Sequence, residues 1–141
     1  MVITFEAASS GGVVDREPLA ILVVDDDRAV LNALTELLES EGYKVTTAID
    51  GLDALDQLRG GLRPCAIVLD LMMPVMDGWD FRHEQMKDQA LRDIPVVVIT
   101  ATGFSETSLK AQFGDIEFVA KPPHIRGLLD AIRRRSGEPI H

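Results

Sequence analysis

The sequence is short of cysteine, of basic residues and of long apolar runs, and each shortage excludes a class of protein. Among 141 residues Cys65 is the only cysteine, so no disulfide framework can form and a reducing compartment, the cytoplasm, is expected. Lys and Arg number 14 against 23 Asp and Glu, a net charge of −9. This balance argues against nucleic acid as a partner and is compatible with cation binding. No apolar stretch reaches transmembrane length, so no membrane partner is expected.

The length predicts one folded domain with a short extension at each end. A chain of 141 residues is suited to a single domain. Residues 1–18 lack the basic and apolar regions of a signal peptide and contain the run Ser9-Ser-Gly-Gly12, so we expect a flexible N-terminal arm. The domain is predicted over residues 19–136, and residues 137–141 are predicted to form a short C-terminal tail.

The most informative stretch runs from Cys65 to Gly78. Its first five residues are apolar and predict a buried strand, which ends at Asp70. Pro74 then enforces an extended turn, and Asp77 before Gly78 is typical of a helix cap. In open α/β sheets the chemistry lies beyond the carboxyl ends of the strands, where Asp70 is predicted to stand. An isolated Asp at this position is most often a turn or capping residue, so the rest of the chain decides its interpretation.

Strands and helices alternate on both sides of this stretch. Strands are predicted near residues 19–24, 43–48, 65–69, 94–99 and 116–120, with helices near 28–41, 50–59, 77–89, 106–113 and 125–135. Continuously apolar strands separated by helices predict a parallel sheet with helices on both faces. With right-handed crossovers, the natural architecture is a flavodoxin-like doubly wound (βα)5 fold with strand order 2-1-3-4-5. Helical spacing places Leu37 and Leu52 on the inward faces of the first two helices, and Asp27 and Asp50 are predicted to be the N-caps of these helices.

Polar residues follow four of the predicted strands, and together they suggest a chemical site. They are Asp25, Asp26, Asp70, Thr100 and Lys121. In the predicted strand order the three carboxylates converge, and two like charges about 4 Å apart repel by roughly 4 kcal/mol at an effective dielectric constant near 20. Mg²⁺ would offset this repulsion, and Lys121 would add positive charge. A carboxylate beside Mg²⁺, a lysine and a hydroxyl is suited to attack phosphorus and to hold the resulting acyl phosphate.

Four motifs carry a resemblance to a known family. They are Leu22–Asp26, Val68–Gly78, Val98–Ala101 and Phe118–Pro122. In this order they resemble a response-regulator receiver domain, the phosphoacceptor module of two-component signalling, and specifically the single-domain type similar to chemotaxis regulators. The resemblance covers about Leu19 to Arg135. It implies a signalling phosphoacceptor, not an enzyme, which phosphorylates itself from donors and later dephosphorylates itself.

The resemblance also implies roles for individual residues at the site. Asp70 would be the phosphorylated residue. Asp26, Asp70 and the Met72 carbonyl would bind Mg²⁺ directly, Asp25 would act through water, and Mn²⁺ could substitute. Thr100 and Lys121 would contact the phosphoryl group.

Further positions are implied to govern switching and access. Phe118 would be the switch aromatic that moves with Thr100, and the small side chain of Ala101 would leave access for phosphate. Met72 and Thr102 would tune hydrolysis, and because Met72 cannot orient a water molecule we hypothesise slow self-dephosphorylation. The family also implies a cis peptide bond between Lys121 and Pro122, whereas Pro123 departs from the aromatic residue that is common there.

The implied partners are a histidine kinase or histidine phosphotransfer protein, and a downstream protein bound on the face formed by the fourth helix, fifth strand and fifth helix. Onward phosphotransfer is the other possible output. Few residues follow Arg135, so no attached output domain is expected, and the protein is expected to be a monomer or weak dimer.

Two alternative functions stay open. One is a receiver-like scaffold that signals without phosphate. The other is a haloacid-dehalogenase-like aspartyl phosphatase with Asp25 and Asp27, which fits poorly at Ala29 and leaves Asp70 unexplained.

Overall fold

The computed structural model describes residues 19–100, 105–114, 116–121 and 124–136, in which five strands and five helices alternate. The strands are β1 Ala20–Val24, β2 Lys44–Ala48, β3 Ala66–Asp70, β4 Val96–Thr100 and β5 Glu117–Ala120. The helices are α1 Arg28–Ser40, α2 Gly51–Arg59, α3 Gly78–Lys87, α4 Glu106–Phe113 and α5 Ile125–Ser136. The predicted arm and tail lie outside the described residues, as do Ala101, Thr102, Pro122 and Pro123. None of the described helices has the length and apolar character required to cross a membrane.

The five strands form one parallel sheet with the order β2-β1-β3-β4-β5, which confirms the predicted flavodoxin-like topology. Every residue of β3 and β4 is buried, whereas the edge strands β2 and β5 are partly exposed. This difference explains why the central strands are continuously apolar in sequence, since helices cover both of their faces.

Two hydrophobic clusters occupy the two faces of the sheet. Side chains alternate along a strand, so Leu22 and Val24 of β1 join one cluster while Ile21 and Val23 join the other. The first cluster includes residues of α2, α3 and α4, and the second includes residues of α1 and α5. The sheet is therefore the middle layer of a three-layer domain.

Two predicted core residues are instead exposed. Leu37 is 41% exposed and Leu52 is 44% exposed. In α1 the buried face contains Leu31, Leu34 and Leu38, and Leu37 lies at the margin of this stripe. Leu52 lies in the first turn of α2, whose sheet-facing side is made by later residues. Both predictions were wrong because each helix has more leucines than its contact face can bury.

Aspartate caps begin the three helices that follow β1, β2 and β3. Asp27 accepts hydrogen bonds from the backbone N–H groups of Ala29 and Val30. Asp50 and Asp77 cap α2 and α3 in the same way, as the sequence predicted. Three acidic side chains at the carboxyl edge of the sheet are thus committed to helix starts. Asp25, Asp26 and Asp70, which also lie at this edge, are not the N-caps of these helices.

Candidate functional site: an acidic pocket at the carboxyl edge

The strand order brings three carboxylates together at the carboxyl edge of the sheet. β1 and β3 are neighbours with Val24 opposite Leu69, so Asp25 and Asp70 emerge side by side. Asp25 is 0% exposed and Asp70 is 4% exposed, whereas Asp26 is open to solvent. One carboxylate oxygen from each of the three lies within 4.8 Å of the others. This is the convergence that the strand order predicted.

Lys121 reaches into this group from the end of β5. Its Nζ lies 3.0 Å from Asp25 Oδ2 and 3.4 Å from Asp70 Oδ2. The second oxygen of Asp25, Oδ1, accepts the backbone N–H of Asp27 at 2.9 Å. Asp25 is therefore held through both oxygens, and one ammonium group is shared between two carboxylates.

Thr100 ends β4 beside this group and is largely buried. Its backbone carbonyl accepts the N–H of Lys121 at 2.8 Å, which fixes the end of β5 against the end of β4. The register sets Asp70 opposite Ile99, so Thr100 lies one residue beyond the end of the β3–β4 pairing. The hydroxyl-bearing residue and the lysine thus occupy consecutive strand ends next to Asp70.

The electrostatics of the pocket are dominated by crowded negative charge. Burial and the nearby Asp25 carboxylate raise the pKa of Asp70, and Lys121 and a backbone hydrogen bond with Met72 offset this only in part. Burial acts to lower the pKa of Lys121, but its hydrogen bonds and charge interactions with Asp25 and Asp70 outweigh this and raise it. The lysine is therefore firmly protonated, while the ionised form of Asp70 is disfavoured without a further cation.

The β3–α3 loop approaches Asp70 so closely that only glycine fits at residue 78. A Cβ on Gly78 would lie 2.7 Å from the Asp70 carbonyl oxygen and 2.8 Å from Leu71 Cα. The Gly78 N–H also donates to the Leu71 carbonyl at 2.9 Å. The sequence indicated only a helix cap here. The steric requirement was missed, and its single signal was the glycine itself.

The same loop contains a strained turn. Val75 has a φ of 68°, and the Met76 N–H donates to the Pro74 carbonyl at 2.8 Å across it. A turn that closes over one residue with positive φ is the rare form of the γ-turn, and it is costly for a β-branched side chain. The Met76 carbonyl in turn accepts the N–H of Gly51 at 2.9 Å, which fastens the loop to the start of α2. Met72 lies earlier in this loop and is exposed.

Phe118 lies on β5 and is part of a chain of aromatic rings. Its ring meets that of Phe113 edge to face, with centroids 6.4 Å apart. Phe113 also contacts Trp79, with centroids 6.1 Å apart. The predicted switch residue is thus linked through α4 to α3. Phe113 was not singled out in the sequence, since no local pattern relates it to either ring.

Comparison with known proteins identifies the family. The model of the response regulator receiver domain family matches residues 21–133, which is most of the chain. The chain belongs to the response regulator receiver domain family. Receiver domains are signalling phosphoacceptors of two-component systems and are generally not classed as enzymes, and phosphorylation and magnesium binding are typical of the family.

This receiver domain is similar in sequence to response regulator MprA of Mycobacterium sp. (strain KMS), with 40% identity over 117 residues. The matched region covers 82% of this chain and 50% of that protein, so the chain spans about half the length of this curated relative. In structure it resembles Vibrio cholerae chemotaxis protein CheY4, with a TM-score of 0.75, 27% identity and coverage of 83% of this chain and 98% of the other.

A second structural relative is the receiver domain of sensor histidine kinase PA1611 from Pseudomonas aeruginosa PAO1. The TM-score is 0.77 at 28% identity, covering 86% of this receiver domain and all of that chain, which has a magnesium ion coordinated in its active site cleft. Receiver domains bind Mg²⁺ at an acidic pocket. The three clustered carboxylates of this receiver domain are the oxygen donors that a hard divalent cation prefers, so its residues fit such an ion.

Proposed function

We propose that this receiver domain accepts a phosphoryl group on Asp70 from a histidine kinase or histidine phosphotransfer protein. The observation that carries the proposal is the placement of one largely buried carboxylate, Asp70, 3.4 Å from the Lys121 ammonium and within a cluster of three acids. The proposal also takes residues 19–136 as the domain, 1–18 as an arm and 137–141 as a tail. We also propose that the protein is located in the cytoplasm and that its oligomeric state is a monomer or a weak dimer.

In the proposed reaction an oxygen of Asp70 forms a bond to phosphorus as the bond from phosphorus to the donor histidine nitrogen breaks. The departing nitrogen keeps the electron pair, and Asp70 becomes an acyl phosphate. Lys121 then pairs with a phosphoryl oxygen, and the Thr100 hydroxyl donates to another. Asp26, Asp70 and the Met72 carbonyl would hold Mg²⁺ (or Mn²⁺), with Asp25 acting through water. When bound, the ion neutralises negative charge on the carboxylates and the phosphoryl oxygens.

The proposed output is a phosphorylation-dependent protein contact, or onward transfer of the phosphoryl group. Movement of Thr100 toward the phosphoryl group would free space for Phe118, whose ring already contacts Phe113 of α4. A change at β5 would therefore reach α4. The face formed by α4, β5 and α5 is the proposed binding surface for the downstream protein.

The environment of Asp25 disfavours the alternative interpretation as a phosphatase. A nucleophilic carboxylate needs an oxygen free to reach phosphorus, but Asp25 is 0% exposed and both of its oxygens are engaged, by Lys121 and by the Asp27 N–H. Asp70 is 4% exposed, and its contact to the Lys121 ammonium is longer, at 3.4 Å against 3.0 Å for Asp25.

Labelling with acetyl phosphate, with and without Mg²⁺, tests the proposal. Wild type should be labelled only when Mg²⁺ is present, and Asp70→Asn should not be labelled. The matched control is Asp77→Asn, because Asn caps a helix as well as Asp does and residue 77 lies outside the carboxylate cluster. Labelling of Asp70→Asn at the wild-type level contradicts the proposal. Absence of label on wild type, under conditions that label another receiver domain, favours the phosphate-independent scaffold.

Slow self-dephosphorylation is a further part of the proposal. Met72 is exposed beside the cluster, and its thioether is too weak an acceptor to orient an attacking water. Ala101, proposed to leave phosphate access, and Thr102, the other tuning position, lie outside the described residues. A pulse of label followed by dilution measures the lifetime of the acyl phosphate. A lifetime of only seconds would contradict this part, and replacement of Met72 by Gln should shorten the lifetime.

A further inference from the structure

A second polar cavity lies at the opposite, amino edge of the sheet. Its volume is about 280 Å³, and it lies below the loop that joins α3 to β4. Ile94, Val96 and Ile116 supply an apolar part of its wall. Its charged lining residues are Arg82, Arg92, Asp93 and Arg135. Asp70 ends β3 at the carboxyl edge, so this cavity is separate from the acidic pocket.

Arg82 brings to the cavity a positive charge that no described carboxylate pairs with. Its Nε and Nη2 donate to the Phe113 carbonyl at 3.2 and 3.0 Å, and its Nη1 donates to Gln85 Oε1 at 2.9 Å. Both acceptors are neutral, and no carboxylate pairs with Arg82 among the described residues. Burial accordingly lowers the pKa of this guanidinium. A charge removed from water is stabilised by an opposite charge, which the described residues do not supply here.

Arg82 also retains donors for a ligand. A guanidinium has five N–H groups, and three of them are used in the hydrogen bonds to Phe113 and Gln85. The two that remain belong to the terminal nitrogens Nη1 and Nη2. One N–H on each terminal nitrogen can therefore still donate to an oxygen of a carboxylate or phosphate.

The other lining residues give the cavity a positive balance. Arg92 is exposed, and within the described ranges no carboxylate pairs with it. Arg135 also lines the cavity, although it shares Glu117 with Arg134. Asp93 is the one acidic side chain in the lining. The lining therefore contains three guanidinium groups and one carboxylate, so it is positively charged, whereas the whole chain has a net charge of −9.

We propose that this cavity binds a compact oxyanion, a phosphate or a carboxylate group, held by Arg82 and Arg92. Arg82 offers two preorganised donors, since its contacts to Phe113 and Gln85 fix the plane of the guanidinium. Arg92 adds charge at the mouth, and Asp93 opposes binding. The proposal does not depend on phosphorylation of Asp70, and it can hold or fail independently of the proposed function.

Titration of the Mg²⁺-free protein with inorganic phosphate, at constant ionic strength set with sodium chloride, tests the proposal. Backbone amide signals of Ile94, Val96 and Ile116 should shift in nuclear magnetic resonance spectra and saturate. A parallel titration with acetate distinguishes the two sources of the oxyanion. Tighter binding of phosphate indicates a phosphoryl-bearing ligand, and tighter binding of acetate indicates a carboxylate. Shifts confined to Asp25, Asp70 and their neighbours would overturn the proposal, as would shifts that do not saturate.

Substitutions that change the charge of the cavity lining should change the affinity for the oxyanion in opposite directions. Arg92→Glu should weaken binding about fivefold or more, because it replaces an attractive charge with a repulsive one. Asp93→Asn should tighten binding, and neither exposed change should affect folding. Arg126→Glu on α5 is the matched control, since Arg126 is exposed and does not line the cavity. Arg82→Lys keeps the charge, loses the planar guanidinium donors and should weaken binding. Equal effects of Arg92→Glu and Arg126→Glu would show adventitious binding and overturn the proposal.

Discussion

Asp70 and Glu117 lie at opposite edges of the same sheet, and their carboxylates meet opposite electrostatic surroundings. Asp70 ends β3, where burial and Asp25 raise its pKa. Glu117 begins β5, where hydrogen bonds from Arg134 are the largest influence and lower its pKa. The charge of Arg134 and the hydrogen bonds and charge of Arg135 act in the same direction, and together they outweigh the effect of burial. The carboxyl edge of the sheet therefore gathers more negative charge than Lys121 compensates, whereas at the amino edge two arginines share the one carboxylate of Glu117.

The two carboxylates therefore contribute to stability with opposite dependence on pH. The contribution of Asp70 is full below its ordinary pKa near 4 and is lost as pH rises through its raised pKa. The contribution of Glu117 is present above its ordinary pKa of 4.5 and is lost as pH falls through its lowered pKa. The ionised carboxylate of Asp70 thus weakens the fold at neutral pH, and the ionised carboxylate of Glu117 supports it.

Gly78→Ala should disrupt the acidic edge most. The added Cβ would meet backbone atoms of Asp70 and Leu71, which cannot move without displacing the site. We expect the free energy of unfolding, measured with urea, to fall by about 3 kcal/mol and acetyl phosphate labelling to fall with it. Gly127→Ala is the matched control, because apart from its chain neighbours and the backbone of its own helix nothing lies within 4 Å of the added Cβ, and alanine favours the α5 helix. Equal losses in both variants would contradict the steric cause.

Lys121→Met should cause the next largest loss. It leaves the Asp25 and Asp70 carboxylates without their shared cation, which we expect to cost about 2 kcal/mol at neutral pH because the lysine is partly solvated. The loss should shrink as pH falls and Asp70 becomes protonated, and added Mg²⁺ should recover part of it. Urea unfolding at several pH values measures this. Lys87→Met, at an exposed ion pair with Glu84, should have little effect, and a pH-independent loss in Lys121→Met would argue against charge crowding.

Asp70→Asn should have a smaller effect of opposite sign. Removal of the disfavoured charge should raise the free energy of unfolding of the Mg²⁺-free protein at neutral pH. The gain should diminish as pH falls through the raised pKa and wild-type Asp70 becomes protonated. Thermal unfolding across this pH range checks the result, with Asp77→Asn as a control for the loss of one negative charge. A loss of stability in Asp70→Asn at neutral pH would contradict the sign expected from the raised pKa of Asp70.

Glu117→Gln should have the smallest effect. We expect a loss below about 1 kcal/mol above pH 5, since these ion pairs are partly exposed and are screened by salt. The loss should vanish at acid pH, where wild-type Glu117 is protonated, and should shrink in high salt. The same unfolding series run on Asp70→Asn and Glu117→Gln should show opposite signs at neutral pH. Changes of the same sign would remove the electrostatic contrast between the two edges.

Much of the carboxyl edge could be predicted from the sequence. Alternating apolar runs and helical spacing gave the strand order, because these periodicities are local and parallel strands with right-handed crossovers allow few arrangements. The strand order then placed Asp25, Asp26 and Asp70 together. The helix caps Asp27, Asp50 and Asp77 were also predictable, since capping depends on the few residues that follow.

The amino edge could not be predicted in this way. Arg82 and Phe113 are 31 residues apart, and their hydrogen bond depends on how α3 packs against α4. The exposed Leu37 and Leu52 show the same limit, since spacing gives the direction of a side chain but not the width of the surface that covers it.

The amino-acid sequence was enough to specify the order of the elements, their caps and the residues at the ends of the strands. Three features became visible only once the chain was folded: Lys121 is shared between Asp25 and Asp70, Gly78 contacts the Asp70 backbone, and Arg82 lacks an acidic partner among the described residues. The difference is one of range. Hydrogen bonds within a helix and side-chain alternation along a strand depend on near neighbours, whereas charge pairing and steric fit depend on distances that only packing sets.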